Sequence, residues 1–156
     1  MFVLCGAGAP AEAMKPAADH VCAVQAYGAK GDGATLDTAA IQKAIDDCSG
    51  EHGGVVKLAG AAKFVSAPLV LKSHVTLEIA AGTTLEASAN HDDFPEMEQF
   101  HDKGRQSLLS ALNAEDITIR GGGVIDGRGE SWWPHRGPGD TRPRLIVFDH
   151  CKHVLM

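Results

Sequence analysis

No stretch of this 156-residue chain reaches the roughly 18 consecutive apolar residues that a membrane helix requires, which excludes a helical span. Arginine is absent from residues 1–100, where six lysines face 13 acids, and the whole chain carries a net charge of −6. That balance excludes general electrostatic binding to nucleic acid. Aromatics are few, with five Phe, two Trp and one Tyr, whereas Gly numbers 18. Such a composition favours short strands joined by tight turns over a helical bundle. No cysteine pair has the C-x-x-C spacing of a metal site. The glycine-rich segment 28–33 lacks the G-K-S/T ending of a phosphate loop, and 121–129 lacks G-x-G-x-x-G ahead of a helix. Neither a nucleotide cofactor nor a metal is therefore expected. Two-residue hairpins are also missing. Asp32-Gly33 and Asp126-Gly127 each have an alternating strand on one side only, which argues against a jelly roll or sandwich.

The N-terminus holds a short apolar stretch and then Ala11-Glu12-Ala13, an A-x-A pattern like the tail of a secretory leader, although its basic start is missing. Residues 1–20 are read as that leader, which places the protein outside the cell or in the periplasm. Cys5 falls inside it. Cys22 and Cys48 flank one small unit, and spacing alone leaves a disulfide and two free buried thiols equally open.

Residues 21–156 are read as one domain. A strand over 21–26 runs into the glycine-rich loop, and a helix follows over 37–48. Ile41, Ala44, Ile45 and Cys48 form its single apolar stripe, with Asp37 or Thr38 as the cap and Gly50 just past the end. One stripe covers a flat apolar surface and is not enough for a bundle. From Gly53 onward only short strands appear: VVKLA, FVSAPLVL, VTLEIA, TTLEA, ITIRG, GVIDG and LIVFD. Three stretches, 69–77, 111–119 and 148–156, stack as one repeat with a polar corner before a strand. Their offsets of 42 and 37 residues are read as about two solenoid coils apiece, with loops inserted at the corners. A solenoid is capped at both ends. The helix supplies one cap and the chain stops inside the third repeat strand, so it is read as part of a longer protein.

YGAKGDG (27–33), DTAAIQKAIDDC (37–48) and GGVVKLAG resemble the opening signature of pectin-acting right-handed parallel β-helix proteins. PLVLKSHVTLEIAAGTTLEAS, LLSALNAEDITIRGGGVIDGRGESWW and RPRLIVFDHCKHVLM resemble family 28 of the glycoside hydrolases, the polygalacturonases. The resemblance implies an all-β, right-handed parallel β-helix with an N-terminal capping helix. It further implies inverting hydrolysis of α-1,4-galacturonan links, export, and a pectic polysaccharide as the partner of the complete protein. An inverting reaction takes one carboxylic acid on the leaving oxygen and a carboxylate base for water on the opposite face. The family supplies these from N-T-D and D-D motifs, with a G-H-G histidine and an R-I-K motif beside them. None of the four stands in this chain, so no catalytic residue carries over and the chain alone is expected to be inactive.

Asp46-Asp47 and Asp92-Asp93 imitate an acid pair, but the first lies on the polar side of the helix and the second in the loop HDDFP without N-T-D upstream. His150 and His153 flank a corner and are expected to point to different sides. Trp132 sits in the Gly/Pro-rich insertion 127–143 with Trp133. Packing within that insertion is its ordinary reading. The sharper one makes Trp132, with Arg136 or Arg142, a border of the sugar path. All six arginines (105, 120, 128, 136, 142, 144) fall in the last third, where the balance turns to +1. Arg suits bidentate carboxylate binding, although most such residues form surface pairs. Two other functions stand beside the hydrolase: a non-catalytic carbohydrate-binding β-helix, and a Ca²⁺-dependent lyase, for which no ligand cluster is apparent.

Overall fold

The computed structural model describes residues 20–50, 52–99, 102–133 and 141–156. The chain winds in coils. The first contains β1 (Val21–Ala23), β2 (Asp32–Leu36) and α1 (Thr38–Cys48). The second contains β3 (Gly54–Leu58), β4 (Lys63–Ser66) and β5 (Leu69–Val70). The third contains β6 (Val75–Ile79), β7 (Thr84–Ala87), a hairpin of β8 (Glu96–Gln99) and β9 (Asp102–Arg105), and β10 (Leu109–Leu112). The fourth contains β11 (Glu115–Gly121), β12 (Val124–Asp126) and β13 (Ile146–Asp149), and β14 (Lys152–Leu155) begins the next. Like strands of successive coils pair in parallel and build three sheets: β1-β3-β6-β11-β14, β2-β4-β7-β12 and β5-β10-β13. Among the described residues only β8 and β9 pair antiparallel. This is the right-handed parallel β-helix expected from the resemblance.

The pairing register corrects the coil count. Gly54 pairs with Val75, 21 residues on, which is the bare coil. Thr76 pairs with Thr118, 42 on, and Ile117 with Val154, 37 on. Those two repeat offsets are therefore one coil each. The extra length is a corner insertion that lengthens the chain without adding a rung. Lys63 pairs with Thr84, 21 on, while Leu69 pairs with Leu109, 40 on, so the 19 extra residues of the third coil lie between β7 and β10.

Alternation explains the core. In β6, Val75, Leu77 and Ile79 point inward while Thr76 and Glu78 face outward, and Leu77 stacks between Val56 and Ile119 of the neighbouring coils. Phe64 on Leu85, and Leu69 on Leu109, repeat the arrangement in the other two sheets. Each such side chain contributes about 1.5–3 kcal/mol on burial. Gly121 approaches the Ile79 backbone so closely, at φ +121°, that a side chain there would overlap the Ile79 carbonyl oxygen. Where the chain enters the first sheet, His74 just before β6, Asp116 at the start of β11 and His153 at the start of β14 all take the left-handed conformation, which Asp and His tolerate better than most residues. They stack across coils: Asp116 Oδ2 lies 3.1 Å from His74 Nδ1, and Asp116 Oδ1 lies 3.0 Å from His153 Nδ1.

Helix α1 closes the first coil with the expected stripe, burying Ile41, Ala44, Ile45 and Cys48. Its capping differs from expectation. The Asp37 carboxylate turns away from the helix and accepts from the amides of Lys30 (2.6 Å) and Gly31 (2.9 Å), which holds the glycine-rich loop. Thr38 Oγ1 instead accepts from the Ala67 amide at 2.8 Å. Gln42 does what a further strand would do. Its amide donates to the Val70 carbonyl (3.0 Å) and accepts from the Val70 amide (2.9 Å), covering the edge of β5. The open question of the cysteines resolves as a Cys22–Cys48 disulfide, with Cα atoms 6.2 Å apart. Strand β1 is shorter than expected, because 24–27 form a 3₁₀ turn that ends at left-handed Gly28.

Candidate functional site

The corner between the second and third sheets is where the coils differ. In the second coil it consists of Ala67 and Pro68 alone, whereas the third and fourth coils carry the insertions 88–108 and 127–145 there. The two lie side by side because their parent strands pair, and at their base the amides of Leu108 and Leu109 donate to the carbonyls of Arg144 (3.2 Å) and Leu145 (3.0 Å).

The first insertion opens with a 3₁₀ turn over His91–Asp93. Asn90 Oδ1 accepts from the Asp92 amide, and the Asp93 carboxylate accepts from Ser88 Oγ and Asn90 Nδ2. Phe94 is buried behind it, and the β8–β9 hairpin returns the chain to Arg105. Arg105 Nη1 donates to the carbonyls of Phe94 (2.8 Å) and His91 (3.2 Å), while its buried Nε has no hydrogen-bond partner. In the second insertion Asp126 Oδ1 accepts from the Arg128 amide, and a 3₁₀ turn over Gly129–Trp132 follows. Trp132 projects against the first insertion. Its ring stacks on His91 at 3.6 Å, meets Phe94 edge-on at 6.1 Å and lies 5.3 Å below the Arg105 guanidinium.

Between the insertions lies a cavity of about 650 Å³. Its apolar floor is Ala87, Phe94 and Leu108, and Lys103, Arg105, Arg142 and Arg144 line its sides. No described residue of the lining is acidic. The cations are local to the cavity wall, since the flanking hairpin carries Glu96, 3.9 Å from Arg105, and Glu98; four basic side chains around one hollow suit an anionic ligand.

The three residues named from the sequence fall differently. Arg142 lines the cavity. Arg136 lies outside the described residues. Trp132 is only 6% exposed and its ring is engaged by His91, so it packs the cavity wall and offers no open stacking face; Trp133 is the exposed member at 58%. Lys103, Arg105 and Arg144 were not singled out, and the available signal was their position just before SLLSAL and LIVFD, at one corner of successive coils.

The remaining polar clusters have structural roles. Lys72 and Gln42 bind Asp46 and hold its carboxyl below the usual range, opposite to what a general acid needs. His150 and His153 do point to different partners, Asp149 and Asp116. The grouping His20, Cys22 and Cys48 has its two sulfurs joined to each other. Asp32 closes its turn by accepting from the amides of Ala34 and Thr35 and from Thr35 Oγ1, bonds that lower its pKa to about 2.

Comparison with known proteins places this architecture. A family model described as "Rhamnogalacturonase A/epimerase, pectate lyase-like" matches residues 21–94. An exo-poly-alpha-D-galacturonosidase of Dickeya chrysanthemi is 36% identical over 153 residues, covering 87% of this chain and 24% of the relative. A probable polygalacturonase of Vitis vinifera is 32% identical over 150 residues, covering 86% and 30%. The polygalacturonase from Erwinia carotovora ssp. carotovora superposes with a TM-score of 0.67 at 25% identity, covering 94% of this chain and 43% of that one. The chain is thus a right-handed parallel β-helix, the fold of this solved relative. Its kinship is with family 28 of the glycoside hydrolases, the polygalacturonases. It spans 24% and 30% of the length of those two curated relatives.

Proposed function

We propose that this chain is the coil-forming N-terminal part of an exported polygalacturonase-type glycosidase, in which the basic cavity borders the path of the galacturonan chain. The observation that carries the reading is the cavity itself, whose described lining holds Lys103, Arg105, Arg142 and Arg144 and no carboxylate, with Glu96 beside it at 3.9 Å from Arg105. A galacturonan carries one carboxylate per sugar, and guanidinium groups bind carboxylates in two-pronged fashion. The described residues bind and orient; they supply no acid for the leaving oxygen and no base for water. The hydrolytic acids belong to the N-T-D and D-D motifs of the complete protein, and the chain by itself releases no reducing ends. The A-x-A pattern and the Cys22–Cys48 disulfide support export, since such bridges persist in oxidising compartments.

The test has two arms. A reducing-sugar assay on polygalacturonate is expected to read zero for this chain and positive for the longer protein carrying the acids, with no ultraviolet-absorbing unsaturated product. Titration calorimetry of this chain with a galacturonate oligomer is expected to show binding that weakens with salt, and none with the neutral galactose oligomer. Equal binding of both oligomers, or of neither, defeats the reading.

A further inference from the structure

The bases of the two insertions are joined by backbone hydrogen bonds, but toward their tips the described contacts between them are side-chain contacts, and these meet at Trp132, which His91, Phe94 and Arg105 all touch. Arg105 belongs to the first insertion, ties that insertion's own turn through the His91 and Phe94 carbonyls, and sets its guanidinium over Trp132 of the second. Trp132 stacks in turn on His91, whose Nε2 lies 3.3 Å from Ser131 Oγ. The same Arg105 faces the cavity.

We infer that Arg105 is a positioning residue that joins the two insertions into a single wall, so that they order and loosen as one unit and the cavity's shape depends on the planar guanidinium more than on its charge. A lysine preserves the charge and can donate to the His91 and Phe94 carbonyls, but it does not present a flat face to the indole. The joining is a property of the free protein. Its effect on ligand rests on the proposed reading of the cavity.

The experiment is amide hydrogen exchange on this chain carrying Arg105→Lys, with Trp132→Phe as a second variant in case the first does not fold. Exchange at 91–98 and at 129–133 is expected to rise together, at least tenfold, while β3, β6 and β11 keep their protection. A rise confined to 91–98, where both carbonyl acceptors lie, or no rise in either, overturns the inference. Binding of a galacturonate oligomer supplies the readout that separates positioning from charge. Arg105→Lys is expected to weaken it about tenfold with the salt dependence unchanged, and Arg142→Lys much less. Wild-type affinity in Arg105→Lys also overturns the inference. If the unaltered chain binds no oligomer while the exchange result holds, the substrate reading fails and the joined wall stands.

Discussion

Removing the Cys22–Cys48 bridge tests how the first coil is held to the stack. The perturbation is Cys22→Ala with Cys48→Ala, compared with the native chain with and without reductant. The bridge joins positions 26 residues apart, which in chain-entropy terms restrains the unfolded state by about 3.5 kcal/mol at 25 °C. The folded state should change little, because Ile41, Ala44 and Ile45 still bury the face of α1 and Gln42 still pairs with Val70. The loss therefore falls almost wholly on closure. Against an ordinary domain stability of about 5–15 kcal/mol it is a large fraction. At a urea slope of about 2 kcal/mol per molar, the unfolding midpoint drops by about 1.7 M. Urea titration followed by circular dichroism measures it. Reductant should reproduce the shift in the native chain and do nothing to the double variant. A difference below about 0.3 M between the oxidised native chain and the variant would refute the reasoning, because it would mean the coil is held by packing and pairing alone.

Three further outcomes follow from the geometry. Gly121→Ala combines a positive φ with overlap on the Ile79 carbonyl and should lower stability by about 3 kcal/mol in the same titration, whereas Gly50→Ala, with open space around it, should cost less than about 1 kcal/mol. Glu78 is held below its usual 4.5 chiefly by the Arg120 hydrogen bonds, with Lys57 adding to them. Since its folded pKa is depressed, its contribution is complete above 4.5 and lost as pH falls through the lower folded value; Arg120→Met should flatten that acid limb, and an unchanged limb would count against the pair. Arg142→Ala should weaken galacturonate oligomer binding severalfold and lower its salt slope by about one charge, as read by calorimetry at several salt concentrations.

The period-two strands and the one-sided helix were legible because burial writes them directly into side-chain choice. Leu77 between Thr76 and Glu78, and the Ile41-Ala44-Ile45-Cys48 stripe, admit few other foldings. The coil count was not legible, because a corner insertion and an extra rung both add residues between like strands and only the pairing register separates them. The site was half legible. Arg142 stood in a recognisable motif, but Lys103 and Arg105 lie about 40 residues upstream of it, and only the return of the chain to the same corner brings them together. Packing was the ordinary reading of Trp132 and lining the sharper one, and His91, 41 residues earlier, stacks on its ring.

The register also shows where this scaffold tolerates novelty. From the second coil on, two of its corners hold only two to four residues, while the third accepts either a bare Ala67-Pro68 link or some twenty residues, and the strands on both sides keep their partners. That corner behaves as a socket. Segments plugged into it remodel the surface on that side while the winding beneath stays as it was, so the outer face can diversify without renegotiating the fold. Shortening 88–108 to the two-residue link of the coil before should leave an intact helix with a smooth side.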